Sequence, residues 1–355
     1  MKGLILAGGQ GTRLRPLTYT SAKQLVPVAN KPVLFYGLEA LAEAGIREIG
    51  IIVGHTAQEI QEAVGDGSAW HVKVSYIPQD APRGLAHAVL IAEDFMAGEP
   101  FVMYLGDNLV KDGIVPFVEE FSRGGCNAQI LLARVPNPSQ FGVAELGEEG
   151  HVIRLEEKPA QPKSDLALVG VYLFDHHVFE AVKNIKPSKR GELEITDAIQ
   201  YLVDVGFVVR PHIITGWWKD TGKVEDMLEA NRMILDTKER MVRGEVDGES
   251  RVEGKAVIEP GAVIRRSVVR GPCIVGPGAV VEDSFIGPYT SVGPRCRIVS
   301  CELENAIVLE GAQLIQLPYR LEGSLIGKEV TVARGNGRPQ ALRLVVGDHS
   351  RLEMP

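Results

Sequence analysis

The chain has 355 residues, 45% of them hydrophobic and 24% charged, and a formal net charge of −8. This is a globular composition with room for two domains. The acidic balance and the absence of any Lys/Arg run longer than two residues argue against nucleic acid, whose phosphate backbone needs clustered basic charge.

The first strand signal, Leu4-Ile5-Leu6, stops at Gly8-Gly9. That is too short for a signal peptide, and a membrane span needs roughly 20 apolar residues. A cytoplasmic protein without a membrane partner is expected. Cys126, Cys273, Cys296 and Cys301 show no CxxC spacing and read as reduced thiols.

Further strands are predicted at Ile49–Val53, Val72–Tyr76 and Phe101–Leu105, and helices at Val33–Ala44, Ala57–Val64 and Leu85–Phe95. Such alternation gives a mostly parallel sheet covered by helices, with ligands at the C-terminal strand ends. Strand signals crowd together after Ala128, which suggests an antiparallel excursion carrying substrate contacts. A long helix is expected over Val224–Arg240, closing this domain.

Beyond the polar stretch 243–250 the pattern changes to short aliphatic runs separated by Gly and Pro. Ile258, Val275, Val292, Leu309 and Ile326 recur every 17 residues, as do Ile264, Val281, Ile298, Ile315 and Val332. Val252, Val269, Ile286 and Leu303 form a third register, which next meets Arg320 and predicts a distorted fourth coil. One inward aliphatic per short strand, with Gly-Pro corners, means a three-faced parallel β-solenoid. The expected boundaries are a catalytic domain at 1–240, a linker at 241–250, a β-helix at 251–346 and a tail at 347–355.

The turn Ala7-Gly8-Gly9-Gln10-Gly11-Thr12-Arg13-Leu14 lacks the Gly-Lys-Ser/Thr of a Walker loop and the last glycine of a dinucleotide fingerprint. Glycines here still let backbone N–H groups approach phosphate, and Arg13 and Lys23 add the cations that a triphosphate would need. Asp107 ends an apolar strand and Asp220 lies in Trp218-Lys219-Asp220-Thr221-Gly222. Each alone would serve as a turn or cap. Together they offer the hard carboxylate oxygens that Mg²⁺ prefers.

Gly8-Gly9-x-Gly11-Thr12-Arg13-Leu14 with Lys23-Gln24-Leu25-x-Pro27 resembles the signature of the sugar nucleotidyltransferases. The likeness continues through Gln79–Ala86, Leu105–Asn108, Leu155–Pro159, Arg190–Asp197 and Trp218–Gly222. More narrowly, the chain resembles long-form glucose-1-phosphate thymidylyltransferases, which couple a Rossmann-like α/β nucleotidyltransferase domain with a mixed, mostly parallel sheet to a left-handed parallel β-helix. The resemblance implies transfer of a thymidylyl group from dTTP to glucose 1-phosphate, giving dTDP-glucose and pyrophosphate.

It also implies the roles of individual residues. Arg13, Lys23 and Lys158 are catalytic. Leu6, Gly8, Gly9, Gly11, Thr12, Arg13, Gln24, Gln79, Gly84 and Asp107 bind nucleotide. Gly142, Glu157, Lys158, Leu168, Arg190 and Trp218 bind sugar phosphate, and Asp107 and Asp220 hold Mg²⁺. Phe141 replaces a tyrosine frequent in relatives, which leaves sugar specificity more open than the reaction class.

UTP or another sugar 1-phosphate is an alternative substrate, since such choices depend on a few contacts. A C-terminal acyltransferase would normally use a histidine base, yet no histidine lies between His212 and His349. A non-catalytic subunit would have lost the phosphate-loop or metal residues present here. The solenoid is expected to be structural and to support self-association, so that the catalytic domain alone should retain activity.

Overall fold

A computed structural model describes residues 1–335 and 343–354. Part of the expected β-helix and Pro355 of the expected tail lie outside the described residues. The chain packs as two units, one of Met1–Gln10 with Val33–Asp220, the other of Gly11–Pro32 with the chain from Thr221 onward.

In the first unit the expected strands form at Lys2–Leu6, Glu48–Val53, Lys73–Pro78 and Phe101–Leu105, all parallel where they pair. The expected helices occupy Val33–Glu43, Ala57–Val64 and Leu85–Ile91, the last followed by a separate turn at Glu93–Met96. The antiparallel excursion is present. Leu166–Phe174 pairs antiparallel with Phe101–Leu105, Ala128–Arg134 and, at Ala167, Gly142–Leu146. Gly142–Leu146 in turn pairs antiparallel with Val152–Glu157. The result is one mixed sheet, nine-stranded in the described residues.

Leu166–Phe174 is buried along its whole length. A central strand covered on both faces reads as a continuous apolar run rather than an alternation. The surrounding core is aliphatic and aromatic, from Leu4 and Met103 in the sheet to Val178, Ala198 and Leu202 on the covering helices.

The second unit contains three parallel sheets whose strands recur along the chain, which is the expected parallel β-helix. Its registers stack Ile258, Val275 and Val292 in one row, Ile264, Val281 and Ile298 in another, and Val252, Val269, Ile286 and Leu303 in the third. The expected rows fail beyond Val292, Ile298 and Leu303. Val308, not Leu309, pairs with Val292, and Leu314, not Ile315, pairs with Ile298. The corner after Leu303 is one residue shorter than its predecessor, so the inward positions come a residue early.

The corner after Leu314 is longer, and Leu321 then stacks on Leu303. That insertion leaves Arg320 outside, where it pairs with Glu302 and Glu304. The coil expected to be distorted is indeed irregular at Arg320, and the core is spared a buried cation.

Two boundaries differ from expectation. Met241–Val242 and Glu245–Val246, within the supposed linker, pair in parallel with Ala256–Ile258 and Val263–Arg265, so the first coil begins there. The helix Val224–Asp236 belongs to the second unit instead of closing the first. Among the described residues no helix is long and apolar enough to cross a membrane, and all four cysteines are free.

Candidate active site

Three groups of expected site residues assemble within the first unit. The first lies where Lys2–Leu6 ends. A Cβ on Gly8 would sit 3.1 Å from Gln79 Oε1, so the missing side chain lets the glutamine lie against the glycine-rich turn. Gln79 Nε2 lies 3.0 Å from Nδ1 of His87. Burial, aided by the Arg83 charge, lowers the His87 pKa and favours the neutral ring, which can accept from that amide. His87, which has no role assigned from the sequence, thus holds the Gln79 side chain. Gly84, at φ 103, is pinned to the segment preceding Ile195. A Cβ there would fall 2.3 Å from Leu193 O, and Leu193 N donates to Arg83 O.

The second group surrounds the two aspartates. Gly106 N donates to Leu6 O, and a Cβ at Gly106 would lie 2.9 Å from that oxygen, so only glycine lets the turn close on the first strand. Asn108–Val110 then pairs antiparallel with Trp218–Asp220, in the register Asn108↔Asp220 and Val110↔Trp218. Asp107 precedes Asn108, so both carboxylates are carried at one end of this two-stranded ladder. Residues more than a hundred positions apart are thus brought to one end of the same ladder.

Asn108 holds this arrangement and was not singled out from sequence. It is 2% exposed, donates from Nδ2 to Asp107 Oδ1 at 2.9 Å, and accepts from Trp218 Nε1 at 2.5 Å. Tyr104 Oη donates to its carbonyl. Gly170 makes room for it, since a Cβ there would approach Asn108 Oδ1 to 2.6 Å. The position of Asn108 immediately after Asp107 was the available signal. Its two-sided bonding needed the fold.

The third group centres on Gly142. A Cβ there would meet Leu168 Cδ1 and Thr196 Cγ2 at 2.7 Å and Glu157 Oε2 at 3.1 Å. Lys158 Nζ lies 3.5 Å and Arg190 Nη1 3.3 Å from Glu157 Oε1. Arg190 is further held by Glu192 and the buried Glu194. Burial raises the Glu157 pKa, an effect the two cations oppose and Glu194 reinforces. Lys158 adopts φ 45, which turns the chain away from the strand Val152–Glu157, while its N–H donates to Phe141 O. The Phe141 ring packs edge-on to Trp218 at 5.3 Å, connecting this group to the second.

A half-buried carboxylate can accept from sugar hydroxyls, and two adjacent exposed cations can hold a phosphate. Leu6 closes its strand as a buried residue.

Gly11, Thr12, Arg13, Lys23 and Gln24 belong to the second unit. Arg13 is exposed on the turn Thr12–Leu14 and Lys23 sits on the turn Lys23–Leu25. Gly11 has φ 63, and a Cβ on it would lie 2.8 Å from Lys23 Cβ and 3.0 Å from Thr18 Cγ2. Thr18 Oγ1 also donates to Gly11 O. Glycine therefore lets the two cation-bearing turns pack against each other. Gln24 is only 1% exposed, and among the described residues its Oε1 meets no hydrogen-bond donor.

Among the described residues, Asp175, His176 and His177 are the one group of three or more with metal-ligand atoms close together. Asp175 Oδ1 accepts from His177 N, and its Oδ2 accepts from Asn127 Nδ2. The first bond satisfies the backbone N–H that opens the helix His177–Asn184, and the second ties Asp175 to Asn127.

The Nucleotidyl transferase family profile matches residues 2–237. A glucose-1-phosphate thymidylyltransferase of Streptomyces griseus is 56% identical over 354 residues, covering 100% of this chain and 99% of that protein. Another from Streptomyces antibioticus is 54% identical over 355 residues, covering 100% and 99%. A solved Bacillus anthracis structure, provisionally assigned as a glucose-1-phosphate thymidylyltransferase and complexed with a sucrose, aligns with TM-score 0.62 at 40% identity. It covers 66% of this chain and 94% of its own. Together with the glycine-rich turn and the assembled acidic and basic groups, these matches place the chain in the nucleotidyl transferase family.

Proposed function

We propose that the chain transfers the thymidylyl group of dTTP to glucose 1-phosphate, giving dTDP-glucose and pyrophosphate. The observation that carries this reading is the group around Gly142, where Glu157 faces Lys158 and Arg190. Its chemistry suits a sugar bearing one phosphate. Two Streptomyces relatives matched along the whole chain are named for that reaction.

An oxygen of the sugar phosphate attacks the α-phosphorus of dTTP while the bond from that phosphorus to the bridging oxygen breaks. The attacking phosphate is already ionised at neutral pH, so no covalent nucleophile or strong base is needed. Lys158 and Arg190 hold the sugar phosphate, and Glu157 accepts from the sugar hydroxyls. Arg13 and Lys23 take the nucleotide phosphates with the backbone of Gly8, Gly9, Gly11 and Thr12. Gln79, oriented by His87, and Gly84 contact the base, while Gln24 and Asp107 serve the deoxyribose side. Most of the acceleration comes from orientation and charge stabilisation rather than proton transfer.

Nucleotidyltransferases of this family generally use a divalent metal. The Asp107–Asp220 pairing fits one, and we assign it as Mg²⁺. When bound, it would neutralise charge on the α-phosphate and the departing pyrophosphate. A reducing compartment such as the cytoplasm suits the free cysteines, and self-association through the β-helix belongs to the same reading.

The test is a matrix of dTTP and UTP against glucose 1-phosphate and N-acetylglucosamine 1-phosphate, read as pyrophosphate release at limiting substrate. The dTTP and glucose 1-phosphate pair should have the highest kcat/KM. Faster turnover with another pair would transfer the assignment to that substrate.

A further inference from the structure

The segment Gly11–Pro32 bears Arg13, Lys23 and Gln24, and it ends in a small hairpin. Pro27–Val28 pairs antiparallel with Lys31–Pro32, in the register Pro27↔Pro32 and Val28↔Lys31. The two residues between them, Ala29 and Asn30, both take left-handed φ values, 48 and 61. Two-residue hairpin turns of this hand favour Asn-Gly, and alanine is a poor first residue for one. The tip therefore needs support from outside itself.

That support comes from the helix Val224–Asp236 and the β-helix. Asn231, on the helix, is fully buried. Its Oδ1 accepts from Ala29 N at 2.9 Å and from Ser291 Oγ at 2.7 Å, and its Nδ2 donates to Tyr289 O at 2.9 Å. A single buried amide thus joins the hairpin tip to a coil of the β-helix. Asn30 Nδ2 makes a second join, donating to Val292 O at 2.8 Å, in space kept open by Gly276. Beneath these bonds Ala29 packs in an apolar cluster with Leu235 of the helix and Val257 and Ile274 of the β-helix. Farther back in the segment, Leu17 lies against Gly327 of the last coils.

Buried polar groups satisfied on every side fix one arrangement, because any alternative strands a desolvated donor or acceptor. Pro27 follows the Lys23–Leu25 turn almost directly, and Gly11 packs on Lys23. A hairpin fixed at its tip therefore restricts both cation-bearing turns.

We infer that Asn231 is a positioning residue for nucleotide binding, through which the β-helix holds the segment that grips the triphosphate. The assignment of Arg13 and Lys23 to dTTP rests on the proposed function; the fastening of the segment does not. The β-helix is thus part of the nucleotide-binding apparatus, beyond the structural and self-associating role expected from its sequence.

The experiment compares the full-length wild type with Asn231→Ala and the milder Asn30→Ala. Hydrogen exchange of amides in residues 11–32 is measured first, then dTTP affinity with Mg²⁺ by titration and KM for each substrate. Both variants should speed exchange in 11–32 by tenfold or more while amides of the sheet strand Leu166–Phe174 stay protected. They should weaken dTTP about tenfold and leave the glucose 1-phosphate KM within twofold. Unchanged exchange in 11–32 overturns the inference whatever the substrate proves to be. Faster exchange with unaltered dTTP affinity, in a wild type that binds dTTP, overturns the positioning role. Equal weakening of both substrates, with protection lost throughout, would show general destabilisation and overturns it as well. Asn30→Ala decides the matter if Asn231→Ala does not fold. A wild type that fails to bind dTTP refutes the proposed function and its positioning consequence, while the exchange result still judges the fastening.

Discussion

Replacing Gly142 with alanine should damage use of the sugar phosphate far more than use of the nucleotide. The added methyl would lie 2.7 Å from both Leu168 Cδ1 and Thr196 Cγ2, and 3.1 Å from Glu157 Oε2. Leu168 and Thr196 are buried and cannot retreat into solvent. Overpacking of this kind costs about 1–3 kcal/mol, and part of the relief must come from moving Glu157 out of its position. If that strain falls on sugar binding, about 1.4 kcal/mol per factor of ten gives a rise of roughly 5- to 150-fold in the sugar-phosphate KM. Steady-state pyrophosphate release, with each substrate varied at saturation of the other, would measure it beside a thermal melt. A sugar-phosphate KM within twofold of wild type, or an equal rise for dTTP, would refute the proposed geometry.

Lys158→Ala should weaken glucose 1-phosphate by about 1.5–3 kcal/mol, the usual value of a hydrogen bond to a charged group, while titrated dTTP affinity changes little. Asp107→Asn and Asp220→Asn should each lower turnover by orders of magnitude without unfolding the chain; near-normal rates for both at saturating Mg²⁺ would remove the metal assignment. Burial raises the Glu157 pKa, so this group favours the folded state when protonated and opposes it once ionised. Glu157→Gln should accordingly raise the melting temperature at neutral and higher pH, with the gain shrinking toward zero below the ordinary glutamate pKa of about 4.3, while sugar-phosphate KM rises. Val275 is fully buried in the stacked row with Ile258 and Val292, and Val275→Asp should destabilise the β-helix by several kcal/mol, visible as a lower-temperature transition by calorimetry.

The sheet was legible because its strands are apolar runs bounded by Gly and Pro, and the solenoid because its inward aliphatics recur. What hid the last coils is that corner length is not fixed. A corner one residue short moved the inward position from Leu309 to Val308, and a longer one placed Leu321 inside and Arg320 outside. The linker was misread because Glu245-Val246-Asp247-Gly248 is polar on its outer face, like any terminal coil, while Val246 still pairs inward with Ile264.

At the site, Asp107, Glu157, Lys158 and Asp220 could be picked out by motif, but what holds them could not. Asn108 acts through Trp218, 110 positions away in the chain, and His87 through Gln79 across an intervening turn. Asn231 is an unremarked polar residue in a helical sequence until the fold surrounds it with Ala29, Tyr289 and Ser291. Long-range packing decides such roles, and no local pattern carries it.

The most direct test of the central claim follows the phosphorus atoms. The full-length chain is incubated with Mg²⁺, glucose 1-phosphate and dTTP labelled in separate samples at the α- or γ-phosphate, and the products are separated. The α label should appear in dTDP-glucose and the γ label in pyrophosphate, in equal amounts and at equal rates. Transfer of the γ label to the sugar, or consumption of dTTP without a thymidylylated sugar, would contradict the account.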